Sequence, residues 1–413
     1  MYDPSSVTDI NHSHCMSHIV RLPHEIFLSI FKHLDTFAHS HVGANDSCQD
    51  ILRDLFQCAV VNRAFYAATM PLLWRSPNSA IPMPWYSSLE TFTFLDCLES
   101  SSRPAHLVRH IRRLDFHSSD VMDRIVPFLS CMSLLEELRI SSISTSGTIG
   151  LMGLVNTALR QEILPLCPRL KSISFNSFTF SPQTLVALSQ ECRHIEALVL
   201  DSCVGMSDAD LESLFASYHS TLTTLTFRYE IWCYPFNRHV DLFQLQKLTH
   251  LSLTNFPGMG IDFFRYGRFP HLKDCHIRDK EAVRFSSDAA GILLTFLCAH
   301  PLLQRLTLSQ CRVGNRALSG MTPAVIPRLH YLNLSGNGRR FSPQILRRLV
   351  RKCPELSTVC LHGCHLASQS FAEVSQKPVG TLSRDDIIKI RLSDLDLGAT
   401  TDESDESDDL QAS

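Results

Sequence analysis

Cysteine and histidine side chains are concentrated in the segment SPQILRRLVRKCPELSTVCLHGC, residues 342–364. The residues concerned are Cys353, Cys360, His362 and Cys364, with His365 directly after them. Thiolate and imidazole groups are common zinc ligands, and paired thiols can form disulfides. However, no C-x-x-C pair occurs anywhere in the sequence, and the 15 cysteines make an odd number. What these side chains do therefore depends on the elements that hold them.

A second segment of the chain has the same layout. Residues 181–203 read SPQTLVALSQECRHIEALVLDSC, with Ser, Pro, Gln, two leucines, a central Cys and a terminal Cys in the same places. In both segments, the Ser-Pro pair supplies a capping hydroxyl with proline in the first turn, which predicts the start of a helix. Two copies of equal length indicate units of a repeat.

A pattern of the form L-x-x-L-x-L recurs along most of the chain. The last apolar positions alternate with polar ones, as expected for half-buried strands, and the typical step is about 26 residues, within the range of leucine-rich repeats. The ten hexamers begin at residues 111, 135, 170, 195, 222, 248, 272, 303, 329 and 356. The segment IIKIRL, residues 387–392, is a plausible eleventh unit.

The repeat resembles the leucine-rich repeat family, in particular its cysteine-containing subtype, over roughly residues 106–393. The resemblance implies about 10–11 units in an α/β solenoid, with parallel strands on the concave face and helices on the convex face. It also implies that an Asn or Cys after each strand bonds the turn, a place held here by Cys203, Cys311, Asn337 and Cys364. Cys192 and Cys353 are expected to end helices. We therefore expect buried structural thiols, and neither a metal nor a cofactor; metal binding at Cys360, Cys364 and His365 is the competing interpretation.

Four short motifs precede the repeats. They are L-P-x-E-I at 22–26, I-F-x-x-L at 30–34, L-x-x-C-A-x-V-N-R-x-F at 55–65 and P-L-L-W-R at 71–75. Together they resemble an F-box, a helical module whose family docks a Skp-type adaptor. The residues expected in its core and docking face are Leu22, Pro23, Ile26, Ile30, Phe31, Leu55, Phe56, Val61 and Trp74. The polar stretch 36–50 lengthens the family pattern, which raises the question of whether it obstructs docking.

An F-box followed by leucine-rich repeats resembles the substrate receptors of SCF-type cullin-RING ubiquitin ligases. The resemblance implies a non-catalytic subunit that holds a target protein on its repeats, with the Skp-type adaptor and, through it, the cullin-RING complex as partners. Neither nucleic acid nor membrane is expected as a partner. The alternative is an interaction scaffold without a ligase, in which the helices only cap the first repeat. No nucleophile elbow, zinc-protease or phosphate-loop motif occurs in the sequence, so catalysis is not expected.

The outward positions of the predicted strands are the candidate target-binding residues. From Arg228 onward, Arg and His outnumber carboxylates there, and Arg suits carboxylate and phosphate groups. The residues are Arg228, His250, His276, Arg278, Arg305, Tyr331, Asn333 and His362. An acidic or phosphorylated partner segment and a plain solvated polar face are both compatible with this pattern.

Composition divides the chain into five parts. We expect a disordered tail at 1–20, the F-box at 21–76, a Pro/Ser-rich linker at 77–105, the repeats at 106–393 and an acidic disordered tail at 394–413. Eight carboxylates and no basic residue follow Arg391, although the net charge of the whole chain is only −3. The tail is interpreted as solvating, or as a mask for the basic end of the concave face. The sequence shows neither a secretory signal nor a membrane span, which predicts cytoplasmic or nuclear residence.

Overall fold

The computed structural model describes residues 55, 57–61, 63–77, 94–116, 119–141, 155–229, 242, 244–255, 261–278, 289–338, 342–366, 370–374 and 380–393. The chain divides into two compact units, Met1–Met206 and Ser207–Ser413. In both, helices and parallel strands alternate, so the α/β fold class is confirmed. No helix among these residues is long and apolar enough to cross a bilayer. The predictions for 1–20, for the first F-box helix and the stretch 36–50, and for 394–413 lie outside the described residues.

The first unit begins with short helices. α1 spans Arg63–Leu73, α2 spans Phe94–Ser100 and α3 spans Pro104–Val108. α2 and α3 lie inside the segment predicted to be a linker, so the linker prediction is wrong for residues 94–105. Leu95 and Leu98 of α2 are buried, and Pro104 occupies the first turn of α3, where a missing N–H costs nothing. Pro104 therefore begins a helix, although proline and serine in the sequence are typical of loops.

Four strands complete the first unit, each pairing in parallel with the next. They are β1 (Arg113–Phe116), β2 (Glu137–Ser141), β3 (Ser172–Asn176) and β4 (Ala197–Asp201). Helix α4 (Ser119–Leu129) follows β1, and α5 (Pro182–Glu191) lies between β3 and β4. A π-helical turn, Leu159–Ile163, and a 3-10 turn, Leu164–Leu166, lead into β3. The apolar residues of each strand face these helices and form the core.

The second unit continues the same pattern. Its parallel strands are β5 (Thr224–Arg228), β6 (His250–Thr254), β7 (Asp274–Arg278), β8 (Arg305–Ser309), β9 (Tyr331–Asn333) and β10 (Thr358–Cys360). Its helices are α6 (Asp208–Tyr218), α7 (Ile261–Tyr266), α8 (Ala290–Cys298), α9 (Asn315–Gly320) and α10 (Pro343–Lys352). All ten predicted hexamers therefore contain a strand, as expected.

The predicted eleventh unit is different. Residues Thr381–Leu382 form β11, which pairs antiparallel with β10, and the segment predicted as a strand is helix α11, Arg384–Leu392. Ser383 and Asp386 form a capping box that begins this helix. Ile387 and Ile390 are its buried apolar residues, and they lie three positions apart, as on one face of a helix. The first four positions of the pattern L-x-x-L-x-L have the same spacing, so the pattern suits a helix as well as a strand. The eleventh-strand prediction was wrong, and α11 ends the repeats instead.

One carbonyl in each repeat receives two N–H groups from the next. The carbonyl of Arg112 accepts from Glu136 and Glu137 at 2.8 and 2.9 Å, and the same arrangement recurs at Glu136, Lys171, Thr223, Thr249, Lys273, Gln304 and His330. In front of β1, this place is taken by Arg75, whose carbonyl accepts from Arg112 and Arg113 at 2.9 and 3.0 Å. The residues just after α1 therefore supply the backbone partner that an earlier repeat would supply.

The cysteines named in the sequence analysis bond the turns that leave the strands. In six repeats, the second residue after the hexamer has a positive φ: Ser177, Ser202, Asn255, Gln310, Gly336 and Gly363. The next side chain can then turn inward and donate to the preceding repeat. The contacts are Cys203 to the carbonyl of Phe175 (3.5 Å), Cys311 to Ile277 (3.6 Å), Asn337 to Leu308 (2.8 Å) and Cys364 to Leu334 (3.1 Å). The predicted structural role of these residues is confirmed.

The thiols of Cys203 and Cys364 are protonated at neutral pH. Burial raises the pKa of Cys203 to about 12, and it also raises the pKa of Cys364. Cys192 and Cys353 follow the last residues of α5 and α10 and are buried, as predicted. Because the thiolate is the form that binds metals and attacks electrophiles, these cysteines act as small buried donors.

Candidate target-binding groove

A groove lies on the face of the second unit's sheet that points away from its helices. Its volume is about 380 Å³, and it opens to solvent. Its lining residues come from β5 to β9: Leu225, Thr226, His250, Leu251, Ser252, Asp274, Cys275, His276, Arg305, Thr307, Tyr331 and Asn333. The alternation of each strand explains the polar members of this set, because the polar residues between the core residues point outward. Leu225, Leu251 and Cys275 are buried core residues that contribute to the floor of the groove.

Strand register places the outward side chains in rows that cross the sheet. The first row runs His250, Asp274, Arg305 and Tyr331, because these residues pair directly on neighbouring strands. The second row contains His276, Thr307 and Asn333, and the third contains Arg228, Thr254 and Arg278. Side chains in one row lie about 5 Å apart across the sheet, so a single bound segment could contact several of them.

The first row forms a chain of polar contacts. His250 Nε2 lies 3.1 Å from Asp274 Oδ2, and Arg305 Nε lies 3.5 Å from Asp274 Oδ1. The Arg305 guanidinium carbon lies 4.6 Å from the centroid of the Tyr331 ring, a cation–π contact. Asp274 Oδ1 is buried and has no hydrogen-bond partner among the described residues. The row therefore holds Arg305 in place from two sides.

The arginines supply the positive charge of this face. Burial lowers the pKa of His276, and the charges of Arg228 and Arg278 lower it further, so His276 is neutral at neutral pH. Arg278 donates from Nε to the side-chain oxygen of Gln310 at 3.0 Å. Burial raises the pKa of Tyr331, and its hydrogen bond with Cys360 acts in the same direction, so its hydroxyl remains protonated. The described strands of this face thus carry three arginines and one carboxylate.

The corresponding face of the first unit is balanced by ion pairs. Arg113 pairs with Glu137 at 2.5 Å, while Arg139 pairs with Glu137 at 2.8 Å and lies 3.8 Å from Asp115. Its β3 and β4 contribute Ser172, Ser174, Ala197 and Val199 at the matching positions. The excess of arginine over carboxylate is therefore a property of the second unit's face.

The structure places the predicted target-binding residues in two groups. His250, His276, Arg305, Tyr331 and Asn333 line the groove. Arg228 and Arg278 end their strands beside it, and His362 follows β10, where its Nε2 lies 3.1 Å from the Thr381 hydroxyl. Asp274 and Thr307 also line the groove, and they were not among the residues predicted to bind a target. The strand pattern places both on the outward face and could have identified them.

The segment predicted as an eleventh strand contributes no strand to this face. Arg391 lies in α11 and donates to the carbonyls of Val350, Cys353 and Leu356 at 3.0, 2.6 and 2.9 Å. Its guanidinium therefore binds the residues at the end of α10 and just after it. A positive group at the end of a helix is favourable, since unpaired carbonyls collect there.

The predicted adaptor-binding residues divide by burial. Leu55 and Trp74 are 2% and 6% exposed, so they pack inside the chain, whereas Val61 is 48% exposed. Val60 and Tyr66 are also exposed large side chains of this segment. We call Val60, Val61 and Tyr66 the exposed apolar patch. Leu22, Pro23, Ile26, Ile30, Phe31 and Phe56 lie outside the described residues.

Three comparisons with known proteins gave one family match and several similar solved structures. Residues 19–79 match the F-box-like family, and no curated protein resembles the chain significantly. Among solved structures, the yeast Rad7–Elc1 complex is similar, with 17% identity, coverage of 90% of this chain and 97% of that one, and a TM-score of 0.45. A TLR13–ssRNA13 complex matches with 16% identity, 64% and 37% coverage and a TM-score of 0.40. A Bacteroides fragilis protein matches with 13% identity, 64% and 68% coverage and a TM-score of 0.33. By this family match, residues 19–79 are an F-box-like domain, and the strand-and-helix repeats described above follow it in the chain.

Proposed function

We propose that this protein is the substrate-recognition subunit of an SCF-type cullin-RING ubiquitin ligase. The observation that carries the proposal is the order of its parts: an F-box-like domain at 19–79 precedes a repeat sheet with an open polar groove. The F-box-like domain would bind a Skp-type adaptor, and the groove would bind the target protein. The chain itself would carry out no chemistry.

The proposed mechanism is proximity. A target held on the repeats would place its lysines close to a ubiquitin carrier bound elsewhere in the assembly, which raises the effective concentration of the two reactants. The second unit's groove offers a polar surface with fixed side chains, since Arg305 is held between Asp274 and Tyr331. Such fixed groups lose little side-chain entropy when a partner binds.

The exposed apolar patch supports adaptor docking. Large apolar side chains at an N-terminal helical segment are a frequent feature of protein interfaces. Val60 is 63% exposed and Tyr66 is 44% exposed, although neighbouring apolar residues such as Ala68 and Leu73 are buried. A partner that covers this patch would remove apolar area from water, and the Skp-type adaptor is the partner that we propose.

A scaffold without a ligase is the second candidate, and one observation favours it. The carbonyl of Arg75 occupies the place of a preceding repeat in front of β1, so this end of the helical segment caps the repeats. Capping alone explains why the segment is present, but it does not explain the exposed Val60, Val61 and Tyr66. The two candidates differ in whether adaptor and cullin bind.

Co-purification separates the two candidates. The full chain is expressed with an affinity tag in cells, and the recovered proteins are identified by mass spectrometry. We expect a Skp-type adaptor and a cullin with the unaltered chain, and we expect Leu22→Ala with Pro23→Ala to lose both. Recovery of other partners through the repeats should persist in this variant. If the unaltered chain recovers neither adaptor nor cullin, the scaffold is the better description.

A further inference from the structure

We propose that the groove across β7, β8 and β9 is a binding site for carboxylate-rich peptide segments, and that its resident ligand is the chain's own residues 400–409. The segment reads TTDESDESDD and carries six carboxylates without a basic residue. The groove and the point where the described chain ends, Ser393, belong to the same compact unit. The proposal thus concerns an acidic segment and a basic surface within one chain.

Arg305 is the central anion-binding group. Its side chain is 56% exposed. One face of its guanidinium lies over the ring of Tyr331, and its Nε lies 3.5 Å from Asp274 Oδ1. In the described part of the chain, neither of its Nη groups has a hydrogen-bond partner. A guanidinium held in this way presents two parallel N–H groups, which match the geometry of a carboxylate.

Arg278 provides a second anion-binding group, at a distance from Arg305 that suits an extended acidic peptide. It lies on β7, four residues beyond Asp274, the residue paired with Arg305. Four residues along a strand correspond to roughly 13 Å. An extended peptide has about the same rise, so carboxylates four residues apart could reach both arginines. Asp402 with Glu406, and Asp405 with Asp409, have this spacing.

The length of the segment is sufficient to reach the groove. The described chain ends near α10, where Arg351 Nη2 donates to the carbonyl of Ser393 at 2.6 Å. Residues 394–405 can extend up to roughly 40 Å. The path runs from the helix side of the sheet around to the opposite face, and it also crosses two strand steps, or about 10 Å, from β10 to β8. A segment tethered at this range experiences an effective concentration on the order of 1 mM. Weak binding to the groove would therefore be enough to keep it occupied.

The consequence for targets follows from competition. An acidic target segment would have to displace residues 400–409, so the chain would select targets that bind the groove more tightly or at further points. This consequence rests on the proposed function, because it assumes that the groove binds targets. The binding of the acidic segment itself is independent of adaptor and cullin.

The test uses a fluorescent peptide, TTDESDESDD, and anisotropy titrations with the full chain. A full-length variant has its six carboxylates in 402–409 replaced by amides: D402N, E403Q, D405N, E406Q, D408N and D409N. We expect the peptide to bind this variant about tenfold more tightly than the unaltered chain, because a resident ligand at about 1 mM effective concentration is removed. Equal affinity for the two chains would overturn the assignment of residues 400–409 as the resident ligand.

Further variants locate the site. Added to the tail-neutralised chain, Arg305→Ala with Arg278→Ala should weaken peptide binding at least tenfold. The control, Arg316→Ala with Arg328→Ala, removes the same charge from exposed positions outside the groove and should change binding less than twofold. Undiminished binding in the groove variant would overturn the site. If the double variant fails to fold, as judged by circular dichroism, Arg278→Ala alone decides, since its side chain is at the exposed end of β7.

The outcomes remain distinct from those of the proposed function. Peptide binding that follows the expected pattern, together with no recovery of adaptor, would support this inference and reject only the ligase role. Peptide binding through Arg305 that is insensitive to the tail substitutions would mean that the groove takes acidic segments from other proteins, and would overturn the proposal as stated.

Discussion

At the scale of single residues, one place after each strand decides how a repeat closes. Cys203, Cys311, Asn337 and Cys364 occupy this place, and each donates to a carbonyl of the preceding repeat. Asn337 does more than the cysteines, because its amide also donates to the carbonyl of Leu334 at 2.6 Å and its oxygen accepts from the N–H of Val313 at 3.0 Å. Its side chain is almost completely buried, so each contact replaces water.

Substitution of Asn337 should therefore show which of these contacts matter. Asn337→Ala removes the side-chain partner of the Leu308 carbonyl and of the Val313 N–H, whereas the Leu334 carbonyl keeps the thiol of Cys364. We expect a loss of about 3 kcal/mol in the free energy of unfolding. Asn337→Cys should lose less, about 1 kcal/mol, because a thiol serves at this place in three other repeats. Urea denaturation of the two variants measures the difference. Equal losses would show that the thiol cannot replace the amide donor.

At the scale of elements, the sequence predicted the strands well because their signal repeats. Each hexamer fixes two apolar residues facing inward, and ten hexamers in succession fix the period. The capping signals were equally local: Ser181 and Ser342 each accept a backbone N–H at the start of a helix, as predicted. Elements whose signal appears only once were predicted less well. α2 and α3 resembled a linker, and α11 resembled a strand.

Contacts between side chains of different elements could not be predicted from the sequence. Arg347 of α10 is 5% exposed and pairs through both of its Nη groups with Glu373, 26 residues later, at 2.6 and 2.8 Å. Its Nη2 also donates to the carbonyl of Ser370, and its guanidinium lies over the ring of Phe371. Nothing in the local pattern distinguishes Arg347 from the exposed Arg348 beside it. By contrast, the rows of the groove follow from strand register, which the repeat period does predict.

The Arg347–Glu373 pair gives a dependence of stability on pH. The hydrogen bonds from Arg347 lower the pKa of Glu373 to about 2, below the value of an unfolded chain. A lowered carboxyl pKa stabilises the fold above the unfolded pKa, near 4.5, and this contribution is lost as the pH falls from there toward 2. Glu373→Gln should therefore cost about 3 kcal/mol at pH 7 and roughly half of that at pH 3.

Urea denaturation at pH 7 and at pH 3 to 4 measures this difference. Glu162→Gln serves as the control, because Glu162 is an exposed carboxylate of the first unit with no ion pair among the described residues. The control should track the unaltered chain at every pH. The destabilisation by Glu373→Gln could instead be the same at pH 7 and at pH 3. That result would show that Glu373 does not stabilise the fold through its charge.

At the scale of the whole chain, the parts differ in chemistry as well as in fold. The N-terminal segment exposes Val60, Val61 and Tyr66, the second unit's sheet face carries Arg228, Arg278 and Arg305, and the sequence after Arg391 is acidic. One apolar surface for a shared partner and one charged surface for selected partners are consistent with the receptor role proposed above. Charged contacts are screened by salt, whereas apolar contacts are not.

The most direct test of the receptor role is the affinity of the purified chain for a purified Skp-type adaptor, measured by isothermal titration calorimetry. Val61→Asp places a charge in the exposed apolar patch, and Val186→Asp places the same charge at an equally exposed valine on α5, since both residues are 48% exposed. We predict that the unaltered chain and Val186→Asp bind equally well and that Val61→Asp binds at least tenfold more weakly. An unaltered chain that does not bind the adaptor would contradict the account.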